Sequence, residues 1–304
     1  MRGVRVLRLF YHWLVRFLLL ASVSVWSVNC AGREALRAAD AAPRDVATGI
    51  MLGAEPVQID RGRTRACLLL HGWISSPADF QHVVGSLDAA GWDVYAPLYP
   101  GHGTHPRDLE GITAAAILDA TRARYAELRA RYDRVALVGF SMGGSIATIL
   151  AAEHNPDLLV LVAPFYQVTY RWYYVLPPRW WHHLLSSCID YLPHRREHLR
   201  VNRREAVDEV VAYDAFPPDI TRALFDLRSM AVDDVDASRL RMPLLVVYAP
   251  GDNVSSPRAV LRYLERIPAQ DKRVLPCHRS DHYLLLDYDR LEAVAGILEF
   301  LSAP

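Results

Sequence analysis

Lysine is almost missing from this chain of 304 residues: Lys272 stands alone, and arginine supplies the rest of the 34 basic residues. The 34 acidic residues cancel them, so the formal net charge is zero. A chain without net charge has no long-range field to gather a polyanion, and nucleic acid is not expected as a partner. The preference for arginine reads as genomic composition bias, not as function. Cysteine is scarce as well. Cys30, Cys67, Cys188 and Cys277 are too few and too scattered for a disulfide framework. Cys67 sits in an apolar run and reads as a small core residue, while a Cys188 to Cys277 bridge stays open only for an exported domain. No internal repeat, dinucleotide fingerprint or cluster at metal-ligand spacing is visible, and His182-His183 lack further ligands nearby. The expectation is therefore a protein with no metal and no cofactor.

Acidic residues are absent from positions 1–33, which places that segment apart from the rest. Arg2, Arg5, Arg8 and Arg16 precede the apolar stretch Phe17 to Val28, the order of a basic n-region and an h-region. Residues 9–28 would span a bilayer, but Arg16 would then lie inside at a cost of about 2.5–3.5 kcal/mol if central. Cys30 raises lipoprotein processing, although Ser27-Val28-Asn29 matches such a site poorly. Arg2, Arg5, Arg8, His12 and Arg16 recur every three or four residues, so a helix would carry them on one face suited to anionic headgroups. The expectation is a signal peptide or membrane anchor over 1–33, a linker over 34–53, and a membrane-associated or exported protein.

What is present is chemistry at strand ends. Val135 to Val138 suit a strand buried on both faces, and they run into Gly139-Phe-Ser141-Met-Gly143, followed by a helix-forming segment from Ser145 to Glu153. This pattern is a nucleophile elbow: a serine on a sharp strand-to-helix turn, with glycines keeping side chains out of the way. A serine needs a base and an orienting acid. Pro243 to Ala249 reads as a buried strand ending in Pro250-Gly-Asp252, a turn that places a carboxylate where open α/β sheets collect their chemistry. After a last strand at Lys272 to Cys277 come His278 and His282, of which His282 lies deeper in the loop. Asp281 and Asp287 compete with Asp252 as the acid, but a direct neighbour of His282 is badly placed to receive its Nδ1 proton. Oxyanion donors are expected from the backbone N–H of Met142, after the serine, and of Trp73, after the strand that ends in His71-Gly72. His71 is expected to brace that loop without titrating.

With Leu70-His-Gly-Trp73, Ser76-Pro77, Pro100-Gly-His-Gly-Thr-His105, Gly139 to Gly144, Asp252, His282 and Leu286-Asp-Tyr-Asp289, the chain resembles α/β-hydrolases of the bacterial carboxylesterase and monoacylglycerol lipase group, also grouped as serine-aminopeptidase-like hydrolases. The resemblance implies an α/β-hydrolase fold over 54–303: a mostly parallel sheet with helices on both faces and a cap insertion at about 165–240. It also implies Ser141, Asp252 and His282 as the triad, with Trp73 and Met142 as oxyanion donors. Trp73 replaces a residue that is often Phe in this group, and its indole is expected to narrow the acyl pocket. The cap begins with Tyr166, Tyr170, Trp172, Tyr173, Tyr174, Trp180 and Trp181, which together suggest an apolar mouth. Farther on, His194-Arg195-Arg196, His198, Arg200, Arg203 and Arg204 read either as a solvated helix face or as a patch for anionic headgroups or acidic substrates. The favoured function is hydrolysis of a small-molecule carboxylic ester with an apolar acyl group through an acyl-enzyme. The alternatives are an aminopeptidase-like enzyme, which should offer acids to a substrate amine, and a catalytically silent ligand-binding protein.

Overall fold

The computed structural model describes residues 2–169 and 177–302. The strands are β1 (Val57–Ile59), β2 (Arg65–Leu70), β3 (Asp93–Ala96), β4 (Arg134–Phe140), β5 (Leu158–Val162), β6 (Leu192–Pro193), β7 (Ala215–Phe216), β8 (Leu244–Tyr248) and β9 (Lys272–Pro276). The main sheet has the order β1-β3-β2-β4-β5-β8-β9, with β1 antiparallel to its neighbour and every other pair parallel. The helices are α1 (Arg2–Asp40), α2 (Gln81–Ala89), α3 (Ala114–Arg131), α4 (Met142–His154), α5 (Pro178–Leu185), α6 (Pro218–Ser229), α7 (Pro257–Glu265) and α8 (Arg290–Ser302). This is the mostly parallel α/β-hydrolase architecture anticipated above.

Alternation along the central strands sorts the core into two layers, since successive side chains of a strand point to opposite faces. Leu68 and Leu70 of β2, Leu137 of β4 and Leu161 of β5 pack with Ile117 of α3 and Ile146 of α4. On the other face Cys67, Leu69, Val138 and Val160 meet Leu87 of α2 and Phe300 of α8. Both faces of β4 are thus covered, which is why its sequence is an unbroken apolar run. The strands' carboxyl ends are left as the place where loops can hold polar groups.

Residues between β5 and β8 form the cap: α5, the short β6–β7 ribbon pairing Leu192 with Phe216, and α6. Its described aromatics depart from the expected apolar mouth. Tyr166 is buried beneath the cap, its hydroxyl 2.7 Å from Thr148 Oγ1, whereas Trp180 and Trp181 are exposed on α5. Tyr170, Trp172, Tyr173 and Tyr174 lie outside the described residues. The Cys188 to Cys277 bridge is not formed: both thiols are free, Cys277 buried and Cys188 exposed.

Helix α1 passes straight through residue 33, because Glu34-Ala-Leu-Arg-Ala-Ala-Asp40 consists largely of strong helix formers. Its second half docks on the cap. Asn29 Nδ2 donates to the Cys188 carbonyl at 2.8 Å, and Arg33 pairs with Asp190 at 2.9 Å. A Cβ on Gly32 would lie 2.0 Å from the Tyr191 carbonyl oxygen, so the helix and the cap strand touch backbone to backbone. Residues 41–53 then run over the body as a loop, with Met51 N–H donating to the Gly103 carbonyl at 2.7 Å. The side chains of Arg2, Arg5, Arg8 and His12 lie outside those described. Among the described residues, no helix is long and apolar enough to cross a membrane.

Burial at the sheet centre has a direct consequence for stability. Leu137→Ala, in the fully covered strand β4, is expected to cost about 2–5 kcal/mol in denaturant unfolding. Leu291→Ala, at a helical leucine that is 75% exposed, should stay within about 0.5 kcal/mol of the parent.

Candidate active site

Strand β4 delivers Ser141 at φ 53°, ψ −115°, a left-handed conformation that a residue with a Cβ avoids. The turn is held by its own backbone: Ser141 N–H donates to the Val162 carbonyl at 3.0 Å, and the Ser141 carbonyl accepts from Gly144 N–H at 2.9 Å and Phe165 N–H at 3.0 Å. Gly143 is required by space, since a Cβ there would sit 1.9 Å from the Leu70 carbonyl oxygen. That contact brings the first turn of α4 against the end of β2, and with it the serine against the loop at Gly72 and Trp73.

Three buried side chains then form one relay. Ser141 Oγ–H donates to His282 Nε2 at 2.9 Å, and His282 Nδ1–H donates to Asp252 Oδ2 at 2.8 Å. The other oxygen of Asp252 accepts from Val254 N–H at 2.7 Å and Ser255 N–H at 2.8 Å, which fixes the carboxylate in the turn after β8. Burial opposes charging of His282, but the field of Asp252, its hydrogen bond, and the fields of Asp281 and Asp79 outweigh it, so the imidazole pKa is raised above its ordinary value.

The competing residues have other tasks. His278 is exposed. Asp281 turns away from the imidazole and accepts from Asn253 N–H at 2.8 Å and Asn253 Nδ2 at 2.7 Å. Asp287, fully buried, accepts from the N–H groups of Asp281 at 2.9 Å, Asn202 at 2.7 Å and Arg203 at 2.8 Å. It therefore binds the histidine loop to the cap. A carboxylate that gathers several backbone donors needs no counter-cation to be stable when buried.

Among the described residues, no acceptor meets the backbone N–H of Trp73 or of Met142. The loop carrying Trp73 is positioned by a residue that the sequence reading did not single out: buried Asp79, which accepts from Gly72 N–H at 2.9 Å and Ser75 Oγ at 2.7 Å. Burial pushes its carboxyl up to about 6. The available signal was Ser75-Ser-Pro-Ala-Asp79, a helix-start pattern whose acid can bond back to the preceding turn. Ile74 was missed as well. It holds φ 44°, unusual for a β-branched residue, with its carbonyl accepting from Tyr213 N–H of the cap at 3.1 Å. The Trp73 indole reaches across to the cap, donating from Nε1 to the Ile220 carbonyl at 3.2 Å and meeting Phe216 edge-on. His71 braces the loop as expected. Its Nδ1–H donates to the Gly72 carbonyl at 2.9 Å, and burial, with His102 nearby, drives its pKa well down.

Ser141 and His282 open into a cavity of about 320 Å³. Trp73, Phe165, Leu224, Phe225, Val254 and Tyr283 give it largely apolar walls, and His194, His198 and Arg200 contribute its basic groups. Among the described residues, the apolar lining comes mainly from the body and α6. No carboxylate lines it among the described residues. A second depression, bounded by Arg241, Pro243 and Asp271, lies at the opposite, amino ends of β8 and β9, away from the serine.

The family described as serine aminopeptidase, S33, matches residues 62–289. A thermostable monoacylglycerol lipase of Bacillus sp. (strain H-257) is 25% identical over 266 residues, spanning 83% of this chain and 96% of the relative. A carboxylesterase of Bacillus subtilis (strain 168) is 23% identical over 244 residues, 80% of this chain and 94% of its own length. Among solved structures, a metagenome-derived lipolytic enzyme superposes with a TM-score of 0.73 at 21% identity, covering 83% of this chain and 98% of the other, a likeness of fold.

The balance at His282 can be read directly. In a pH titration followed by NMR, the His282 ring should protonate above the ordinary imidazole range. In Asp252→Asn the burial remains and the anion is gone, so the ring should protonate below that range. A value unmoved by the substitution would show that Asp252 does not set the charge of the ring.

Proposed function

The chain belongs to the serine aminopeptidase S33 family of hydrolases, and on that premise we propose that it cleaves carboxylic esters through an acyl-enzyme formed on Ser141. The observation that carries this reading is the Ser141–His282–Asp252 relay, opening on an apolar cavity beside two backbone N–H groups without acceptors. Peptidase action on a free N-terminus needs an anion to hold the substrate ammonium, and the cavity has no carboxylate among its described lining. The names of the two Bacillus relatives, a monoacylglycerol lipase and a carboxylesterase, favour the same side.

In this reading, Ser141 Oγ attacks the ester carbonyl carbon while His282 Nε2 takes the hydroxyl proton. Asp252 holds the ring in the tautomer that leaves Nε2 free and stabilises the imidazolium that forms. The carbonyl oxygen becomes an oxyanion and accepts from the N–H groups of Trp73 and Met142. Collapse breaks the ester C–O bond, and His282 returns the proton to the departing alcohol. Water, deprotonated by the same nitrogen, attacks the acyl-enzyme and frees the acid and Ser141. No step calls for a cofactor or metal.

The protein is further proposed to work at a membrane, held by its N-terminal segment. The support is a face of α1 on which Leu19, Val23 and Trp26, spaced at i, i+4 and i+7, stand exposed. The same helix is fastened to the cap at Asn29 and Arg33 and to the body at Asp40, which pairs with Arg107. An acyl substrate would thus be met beside the surface from which it partitions.

Two outcomes check these proposals. Ser141→Ala and His282→Ala should each lower turnover of a medium-chain aryl ester by at least about 10³-fold, with thermal unfolding unchanged. His278→Ala should retain activity, and cleavage of aminoacyl anilides with none of esters would overturn the esterase reading. In fractionation, the full-length chain should pellet with membranes and resist high-salt extraction, because apolar contact is not screened by ions. Uncleaved protein in the low-salt supernatant would remove the membrane proposal.

A further inference from the structure

The basic stretch of the cap is largely exposed but does not run as one continuous helix. Arg200 lies in extended chain between two short turns, and it is built into the histidine loop: its carbonyl accepts Tyr283 N–H, adjacent to His282, at 3.1 Å. The next residues continue the attachment, Asn202 and Arg203 through Asp287, and Asn202 Nδ2 onto the Arg279 carbonyl at 2.9 Å. The backbone of Arg200 therefore has a fixed position relative to the base of the relay. Its neighbours spend their charge elsewhere. Arg195 faces Glu197, Arg196 faces Asp208, and Arg203 is taken up by Glu209 and the Leu286 carbonyl. Arg200, by contrast, lines the cavity above Ser141, and no described residue pairs with its guanidinium. His194 and His198 line the same cavity; His198 lies 3.9 Å from Glu197, which is outside that lining, and no carboxylate is among the described lining residues.

Resting on the ester-hydrolase reading, we propose that the preferred substrate is an ester bearing an anionic group remote from the scissile carbonyl, a carboxylate or a phosphate, with Arg200 as the side chain that selects it. The apolar walls accept the hydrocarbon between the two ends. The planar guanidinium offers paired donors to the oxygens of either anion. Since Arg200 is exposed, the attraction is partly screened, so discrimination of a few-fold to about tenfold is the scale to expect. The anion can lie on the acyl side or on the alcohol side, and the chemistry of recognition is the same for both.

The test uses the full-length enzyme and two matched pairs. The first is a 4-nitrophenyl ester of a medium-chain monoacid against the half-ester of a diacid of equal chain length. The second is a 1-monoacylglycerol against the same molecule phosphorylated on its glycerol. The quantity read is the ratio of kcat/KM, anionic over neutral, within each pair. The wild type should give a ratio above one in at least one pair, and that pair reports which end of the substrate carries the anion. Arg200→Gln should lower this ratio about fivefold, mainly through KM, while Arg204→Gln, on the same stretch but off the cavity, should not move it. Raising the salt concentration should erode the wild-type ratio in parallel, which tests the charge effect without any variant. Ratios at or below one in both pairs, or a ratio unmoved by Arg200→Gln and by salt, would overturn the inference while cleavage of the neutral partners kept the esterase reading intact. Hydrolysis of none of the four esters would overturn both.

Discussion

The contact on which the site depends is the approach of α4 to the end of β2. Gly143 lies so close to the Leu70 carbonyl that no Cβ fits, and this one closeness sets three placements together. Ser141 is forced into its left-handed turn at the mouth of the sheet. The Met142 N–H emerges at the helix N-terminus, where the unpaired amides and the helix dipole already favour negative charge. The loop that follows β2 is brought alongside, with Gly72 and Trp73 lining the same cavity as Ser141. A side chain at position 143 would separate Ser141 from the Gly72-Trp73 loop before altering any member of the Ser141–His282–Asp252 relay.

Carboxylates supply the second layer of order, and they do so by capturing backbone donors. Asp252 fixes its own turn, Asp281 fixes the Asn253 loop, Asp79 fixes Gly72, and Asp287 joins the histidine loop to residues 202 and 203 of the cap. The histidine loop is also seated by Tyr283, Leu284, Leu285 and Leu286 in the core. The buried anions add directional anchors that would be costly if left without donors. The cap and His282 share one anchor in Asp287, so the roof of the cavity and the base beneath it cannot shift independently.

This division explains what could be read from the residues alone. Strands β2, β4, β5 and β8 are local apolar runs, and the residues at their carboxyl ends, from His71-Gly72-Trp73 to Asp252, are legible because the fold requires chemistry there. His282 could be preferred over His278 by its depth in the loop. The role of Asp79 was not legible, since its partner Gly72 belongs to another element and an acid after Ser-Pro looks like a simple helix start. Most described walls of the cavity were likewise not singled out. Aromatic density marks Tyr166 to Trp181 in the sequence, while among the described residues Phe165, Leu224 and Phe225 line the cavity. Helix α1 was divided at residue 33 by charge and hydropathy, but helix propensity carries it on to Asp40, where His105 and Arg107 receive its last carboxylate.

Electrostatics then distinguish one imidazole from the others around it. Burial pushes His71 far down, lowers His102 to about 4 and depresses His194. His71 and His102 each donate from Nδ1 to a carbonyl and leave a bare Nε2, the less costly of the two ring nitrogens to leave unpaired, because a lone pair is buried and not an N–H. Near the site they therefore stay neutral scaffolding at working pH. His282 is buried as deeply, but Asp252 at Nδ1 reverses the sign of its shift. In the proposed reaction, positive charge can thus appear at this one ring while the oxyanion forms beside it. Were His71 also to ionise, its charge would stabilise the oxyanion at all times and hold the leaving acid in place as firmly as the transition state. A neutral shell around one inducible cation confines stabilisation to the moment at which charge develops.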